Sequence, residues 1–380
     1  MTTSAMPVKS FLSSASLQQQ ASASLSQCEF HIEYLRLSKS EAAAHYDHRY
    51  LFRAIFPLLP ILLESPDSFD EAFGPHHWDR SVRPALLTLD PDYFMHNVVP
   101  VRCHSHNDYW RRTPLYAALA SGCISVEADV WLTDNDEILV GHQRRDLSAN
   151  ATLNSMYLDP LMQLFGVENR LLEQQINNTN TMQGVFPIDP EQTLVLLIDF
   201  KTSGPDLLAA VSSKLDVFRA ANLLTYWNGT ARVEQPLTIV ATGNAPFELL
   251  NNERYRDIFY DAPLTHLTHP EDPIESDNST SMYDYVYNPS NSWYASANLI
   301  AAVGALSRMN IAPLQIDLIT QYIADAEVRG LVPRYWNTPR WPRDFRDHVW
   351  QVLVEQKTGI LSVDDLRAVR KGSWGDWNKS

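Results

Sequence analysis

The strongest constraint on this chain is a rhythm that starts at Val98. Short apolar segments bounded by turn residues recur eight times: VVPVRCH (98–104), ISVEADVWL (124–132), TLVLLIDFKT (193–202), LTIVATGN (237–244), DIFYDAPL (257–264), YASANLI (294–300), LVPRYWNT (331–338) and ILSVDDL (360–366). Helical spacing lies between several of them. Leu207, Leu208, Val211, Leu215 and Phe218 follow the third; Ile316, Ile319, Tyr322 and Ile323 precede the seventh; Phe345, Val349, Val352 and Leu353 precede the eighth. Pro205 suits a first helical turn and Gly330 a helix end. Strands alternating with helices in this number predict an α/β fold, a (β/α)8 barrel rather than a doubly wound open sheet. Two inserts, 143–192 and 265–292, interrupt the pattern and are expected near the active face or along the rim.

With 380 residues and 45% hydrophobic content, the chain has room for one such domain and its extensions. The expected division is a leader or disordered segment at 1–28, an irregular N-terminal extension at 29–97, the barrel at 98–374 and a tail at 375–380. Lys9 is the only charged residue of the first segment, which is rich in Ser, Ala and Gln. The most apolar run, LFRAIFPLLPILL (51–63), is interrupted by Arg53, Pro57 and Pro60 and falls short of the roughly 20 residues of a membrane span. It is expected to pack or to associate loosely with a membrane, so no firm span is predicted.

The formal net charge of -15, from 45 acidic and 30 basic side chains, argues against an electrostatic grip on nucleic acid or an anionic membrane. No glycine-rich nucleotide fingerprint follows any strand, which leaves a small partner as the expectation. Cys28, Cys103 and Cys123 form neither a zinc spacing nor a disulfide framework and are expected as buried free thiols, with a Cys103–Cys123 bridge left open. Five glycosylation sequons, beginning at Asn150, Asn177, Asn228, Asn278 and Asn378, suit a secretory route. Oligomeric state stays open.

Chemistry enters through strand parity. Alternate side chains of a strand share a face, so Glu127 and Asp129 project together, as do His104 with His106 and Asp199 with Lys201. In a barrel these tips meet at the carboxyl-end mouth. The three carboxylates are hard oxygen ligands suited to Mg2+ or Ca2+, and Lys201 offers a point charge to a phosphate oxygen. His142, ending the hairpin strand EILVGH, adds a further imidazole. Taken singly, each pair is more often a solvated strand end or a structural ion pair. Their joint order, His, Glu-x-Asp, His, Asp-x-Lys, favours a site. A glycosidase using Glu127 and Asp129 is disfavoured, because both carboxylates face the same way.

In order and spacing these residues resemble the phospholipase-C-like phosphodiesterase superfamily of TIM barrels, which includes the glycerophosphodiester phosphodiesterases. Through CHSHNDYWRR, SVEADVWL, VGH, TLVLLIDFKT, LTYWNGT, RDIFYDAPL, RYWNTP and SVDDLR the chain also resembles the fungal family named altered inheritance of mitochondria protein 6. The resemblance implies a first catalytic histidine at His106 and a metal-binding amide at Asn107. It implies a metal pair at Glu127 and Asp129, a second catalytic histidine at His142, a further acidic ligand at Asp199 and a phosphate-contacting Lys201. His104 is an additional candidate at the same mouth, for substrate contact or in place of His106, and Trp336 is a candidate apolar wall for a lipid or glycerol moiety. Where glycerophosphodiesterases follow the first histidine with Arg-Gly, this chain has Asn107-Asp108, which sets that particular substrate in question. The function implied is a metal-dependent phosphoric diester hydrolase of lipid metabolism, acting on a lipid-derived or small phosphodiester by histidine acid–base catalysis. The alternative is an inactive barrel that binds or scaffolds. Residence is open between the secretory pathway and a mitochondrial association.

Overall fold

The computed structural model describes residues 95, 97–166, 184–267, 287–306 and 310–372. The leader, the 51–63 run, nearly all of the extension and the tail lie outside the described residues. All eight expected segments form strands. In chain order these are β1 (Val101–Ser105), β2 (Cys123–Leu132), β4 (Leu194–Phe200), β7 (Leu237–Gly243), β8 (Ile258–Pro263), β9 (Ser292–Asn298), β10 (Val332–Trp336) and β11 (Ile360–Val363). Every neighbouring pair is parallel, and the pairing of β1 with both β2 and β11 closes the ring. Between β2 and β4, β3 (Ile138–Val140) folds back antiparallel onto β2. A separate two-stranded hairpin, β5 (Tyr226–Trp227) with β6 (Arg232–Val233), turns through Asn228-Gly229 and was not expected from periodicity. Its Asn228 side chain accepts from the main-chain N–H groups of Thr230 and Ala231, which is ordinary turn chemistry for Asn-Gly.

Two apolar layers explain the near-continuous hydrophobic runs, since a parallel strand is covered on both faces. Inside the ring, Val195, Leu197, Val240, Phe259, Trp293, Tyr294 and Ile360 pack together. The larger cluster lies outside, where helices cover the strands. Helix α1 (Tyr116–Ala120) connects β1 to β2, α2 (Gly204–Lys214) follows β4 with Pro205 in its first turn, α3 (Pro313–Val328) precedes β10, and α4 (Arg343–Glu355) precedes β11. Phe345, Val349, Trp350, Val352 and Leu353 of α4 are buried, each apolar side chain contributing about 1.5–3 kcal/mol of transfer free energy. Past α3, Gly330 takes φ +69°, a conformation that suits glycine.

The expectation of free thiols is corrected. Cys103 and Cys123 form a disulfide, because β1 and β2 are parallel neighbours whose register, irregular between Val101 and His104, brings the two Cα atoms to 4.7 Å. From the first insert, Tyr157 comes in under the mouth, its hydroxyl 3.0 Å from the Glu127 carbonyl oxygen and 3.1 Å from the Asp108 carboxylate. Among the described residues, no helix is long and apolar enough to cross a membrane.

Candidate active site

Strand β1 delivers two histidines to different environments. His104 is fully buried, with Nδ1 2.7 Å from the Ser125 hydroxyl and Nε2 3.2 Å from Glu127 Oε2. Burial, reinforced by the charge of Arg334, pushes its pKa down to about 4, so it is a neutral ring that donates to Glu127 and accepts from Ser125. No nitrogen of His104 is left for a ligand, and the structure places it beneath Glu127 rather than at the open face. His106, two residues later and just past the end of β1, has Nδ1 2.9 Å from Asp364 Oδ1 and Nε2 4.0 Å from Glu127 Oε2. Burial works against its charged form, but the carboxylates of Asp364 and Glu127 outweigh it and raise the pKa. Asp364 is held in turn by Arg340, whose Nε lies 2.9 Å from its second oxygen.

The chain then turns sharply. Asn107 sits in the left-handed region at φ 48°, a conformation asparagine tolerates, and this aims its main-chain N–H at Glu127 Oε2, 3.1 Å away. Tyr109 follows. Its hydroxyl lies 2.6 Å from Asn107 Oδ1, 2.8 Å from Asp129 Oδ2 and 3.1 Å from His142 Nδ1. His142 arrives by the β2–β3 hairpin, where Gly141 N–H donates to the Asp129 carbonyl and Trp131 Nε1 donates to the Gly141 carbonyl. Its Nδ1 is 3.1 Å from Asp129 Oδ2, and its ring meets Trp110 edge-on at 5.3 Å. The side chain is 41% exposed, against 14% for His106.

Asp129 and Asp199 are register partners on β2 and β4. With Glu127 they each offer an oxygen within 4.8 Å of the others. Lys201 lies 2.5 Å from Asp199 Oδ2 and 3.1 Å from Asp129 Oδ2, and these two charges raise its pKa against the effect of burial. Burial and the neighbouring Asp129 charge push Asp199 up to about 6. Glu127 moves the other way: burial opposes its ionisation, but His106 and His104 hold it well below the usual carboxylate range. Gly243, at φ +67° at the end of β7, leaves the space for Asp199, because a Cβ there would collide with Asp199 Oδ1.

This donor set fits a hard divalent cation. Three carboxylates converge, Asp129 Oδ1 is buried with no hydrogen-bond partner, and Asp199 resists ionisation beside its neighbours. Asn107 stands at the edge of the group through its shared contact with Tyr109. The structure therefore brings His106, Asn107, Glu127, Asp129, His142, Asp199 and Lys201 into one connected network. Trp336 lies apart from it, 37% exposed at the end of β10, on the same strand face as Arg334. Sequence reasoning missed Tyr109, Asp364 and Arg334. A signal existed for each: a tyrosine inside SHNDY, an acid following the last strand, and a lone charge inside an apolar strand.

Residues 92–261 match the family described as the AIM6-like phosphodiesterase domain. An altered inheritance of mitochondria protein 6 homolog from Arthroderma benhamiae is 35% identical over 283 residues, covering 72% of this chain and 84% of that protein. The chain belongs to the altered inheritance of mitochondria protein 6 family. The Eremothecium gossypii member is 34% identical over 292 residues, covering 72% of this chain and 70% of that one. Among solved structures, a glycerophosphodiester phosphodiesterase from Thermotoga maritima aligns with 72% of this chain and 97% of its own, at 13% identity and a TM-score of 0.34. The family's name ties its members to mitochondrial inheritance.

Proposed function

We propose that this family member is a metal-dependent phosphoric diester hydrolase acting on a lipid-derived or small phosphodiester. One observation carries the reading: two imidazoles, each with Nδ1 held by a carboxylate, adjoin a three-carboxylate group that has Lys201 on its edge. Glu127, Asp129 and Asp199, with Asn107 beside them, would hold Mg2+ or Ca2+, which when bound supplies positive charge to the nonbridging phosphate oxygens. Lys201 contributes a second charge to those oxygens. With Nδ1–H directed to Asp364, His106 presents Nε2 as the base. It takes the proton of the attacking hydroxyl, from water or from the substrate itself. As that oxygen bonds to phosphorus, the ester bond to the leaving oxygen breaks, and His142, the more exposed ring, returns a proton to the leaving alkoxide. His104 acts through Glu127 by fixing its orientation, and Trp336 borders the mouth as an apolar wall. The Cys103–Cys123 bridge and the exposed sequons at Asn150 and Asn228 favour residence in an oxidising compartment.

The test is cleavage of a chromogenic phosphodiester with and without divalent metal, compared between the parent and His142→Asn. The expected loss is about 10²–10⁴-fold, the usual size of a general acid's contribution. Equal rates would remove His142 from the mechanism. No turnover across metals and diesters would instead assign the barrel a binding or scaffolding role.

A further inference from the structure

Among the described residues, six buried side-chain atoms lack a hydrogen-bond partner, and four of them lie on consecutive strands: Asp261 Oδ1 on β8, Tyr294 Oη on β9, Arg334 Nη1 on β10 and Ser362 Oγ on β11. Arg334 is the informative one. It is 3% exposed and alternates along β10 with Val332, which packs against the inner cluster, and with Trp336 at the rim. Its guanidinium is therefore directed into the ring, at the floor of the mouth. Nε lies 2.9 Å from Ser296 Oγ, while Nη2 reaches only one oxygen of Asp261, at 3.5 Å. Buried arginine–carboxylate pairs are frequently bidentate, with both oxygens engaged. Here each partner keeps one polar atom unpaired.

Position decides what that atom can reach. In the ring order β1, β2, β4, β7, β8, β9, β10, β11, the strand carrying Arg334 is four places from β4, which leads into Lys201. The two cations thus belong to opposite walls of one mouth. Arg334 is also close enough to weigh on the electrostatics of His104, His106 and Glu127. We propose that Arg334 is a second anion-binding side chain of this site, its free Nη1 taking one nonbridging oxygen of a phosphate from the wall opposite Lys201. The 2.9 Å hydrogen bond from Nε to Ser296 orients the guanidinium plane, so the contact is a directed N–H rather than a mobile charge. The inference takes from the proposed reaction only that the ligand carries a phosphate.

Binding of inorganic phosphate to the full chain, followed by calorimetry with Mg2+ and again with chelator, tests this without requiring turnover. Arg334→Met is expected to weaken phosphate binding at least tenfold, with Arg334→Lys recovering part of it, while circular dichroism stays that of the parent. Asp261→Asn, which removes the competing carboxylate, is expected to tighten binding severalfold. Parent-like affinity in Arg334→Met, or a parent that binds no phosphate, overturns the proposal. Should Arg334→Met fail to fold, Asp261→Asn decides: unchanged or weaker binding overturns it. Diester cleavage measured in parallel separates the two readings. Arg334-dependent phosphate binding without hydrolysis upholds this role and sinks the hydrolase, whereas hydrolysis with kcat/KM unaltered by Arg334→Met does the reverse.

Discussion

The two walls of the barrel mouth are built on opposite electrostatic plans. From β1 to β4, three carboxylates crowd within 4.8 Å, with Lys201 and two imidazoles set around them, and Asp129 Oδ1 is the buried atom left unpaired. Across the ring, from β8 to β11, a single buried arginine faces a single buried aspartate in a loose contact, and unpaired polar atoms recur on each strand. Negative charge in excess of its protein partners attracts a cation. A guanidinium with an idle N–H in a dry wall attracts an anion. The difference teaches that the two walls leave opposite kinds of polar atom unpaired, which is the asymmetry that the proposed metal and phosphate would each satisfy on one side.

The walls also differ in how they are tied together, which gives the largest expected effect. Cys103–Cys123 joins β1 to β2 and closes a loop of sequence separation 20. Replacing both cysteines by serine is expected to cost about 3 kcal/mol by the chain-entropy relation, read as a lower urea midpoint. Native-state hydrogen exchange should then quicken in β1 and β2 well before β9 and β10. Uniform quickening around the ring would show that the bridge serves the whole barrel and not the metal-side wall.

The crowding of acids predicts a pH dependence confined to the same wall. Asp199 has a folded pKa of about 6 against 3.8 for the free side chain, raised first by burial and then by Asp129. A raised carboxylate contributes stability that is fully present below its unfolded pKa and is lost as pH rises through the folded one. Protein stripped of divalent ions should therefore lose about 2 kcal/mol between about pH 4.5 and about pH 8 through this group. Asp199→Asn should lack that component, and Mg2+ or Ca2+ should offset it in the parent alone. Urea midpoints at the two pH values measure it; identical slopes in parent and variant would mean that the three carboxylates do not constrain one another.

The first wall was legible in the amino-acid sequence and the second was not, for a physical reason. Glu127 with Asp129 and Asp199 with Lys201 are pairs within single strands, so parity alone puts each pair on one face. Arg334 and Asp261 are isolated charges on strands that are not even neighbours, and they meet across β9, an order of strands that no local spacing reveals. Asp364 anchors His106 across a separation of 258 residues, which no local spacing reveals. The disulfide was left open for the same reason, since only the parallel pairing of β1 with β2 brings Cys103 and Cys123 together. Eight strands, by contrast, each announced themselves by local composition. What the rhythm could not specify was which tips face one another across the mouth.

Trp336 sharpens the comparison at its smallest scale. It lies on the same face of β10 as Arg334 but beyond it, 37% exposed, so the anion-side wall has a charged floor and an apolar edge. An acyl or glycerol moiety attached to a phosphate held by Arg334 would cross that edge, and only the exposed third of the indole remains to be covered. Trp336→Ala should raise KM for a long-chain diester about fivefold, on the order of 1 kcal/mol, while leaving kcat unchanged. A diester with only short substituents should show almost no change, because it never reaches the ring. An equal rise for both substrates would mean that the indole shapes the phosphate site itself, by packing beside Arg334, and the division between charged floor and apolar edge would have to be given up.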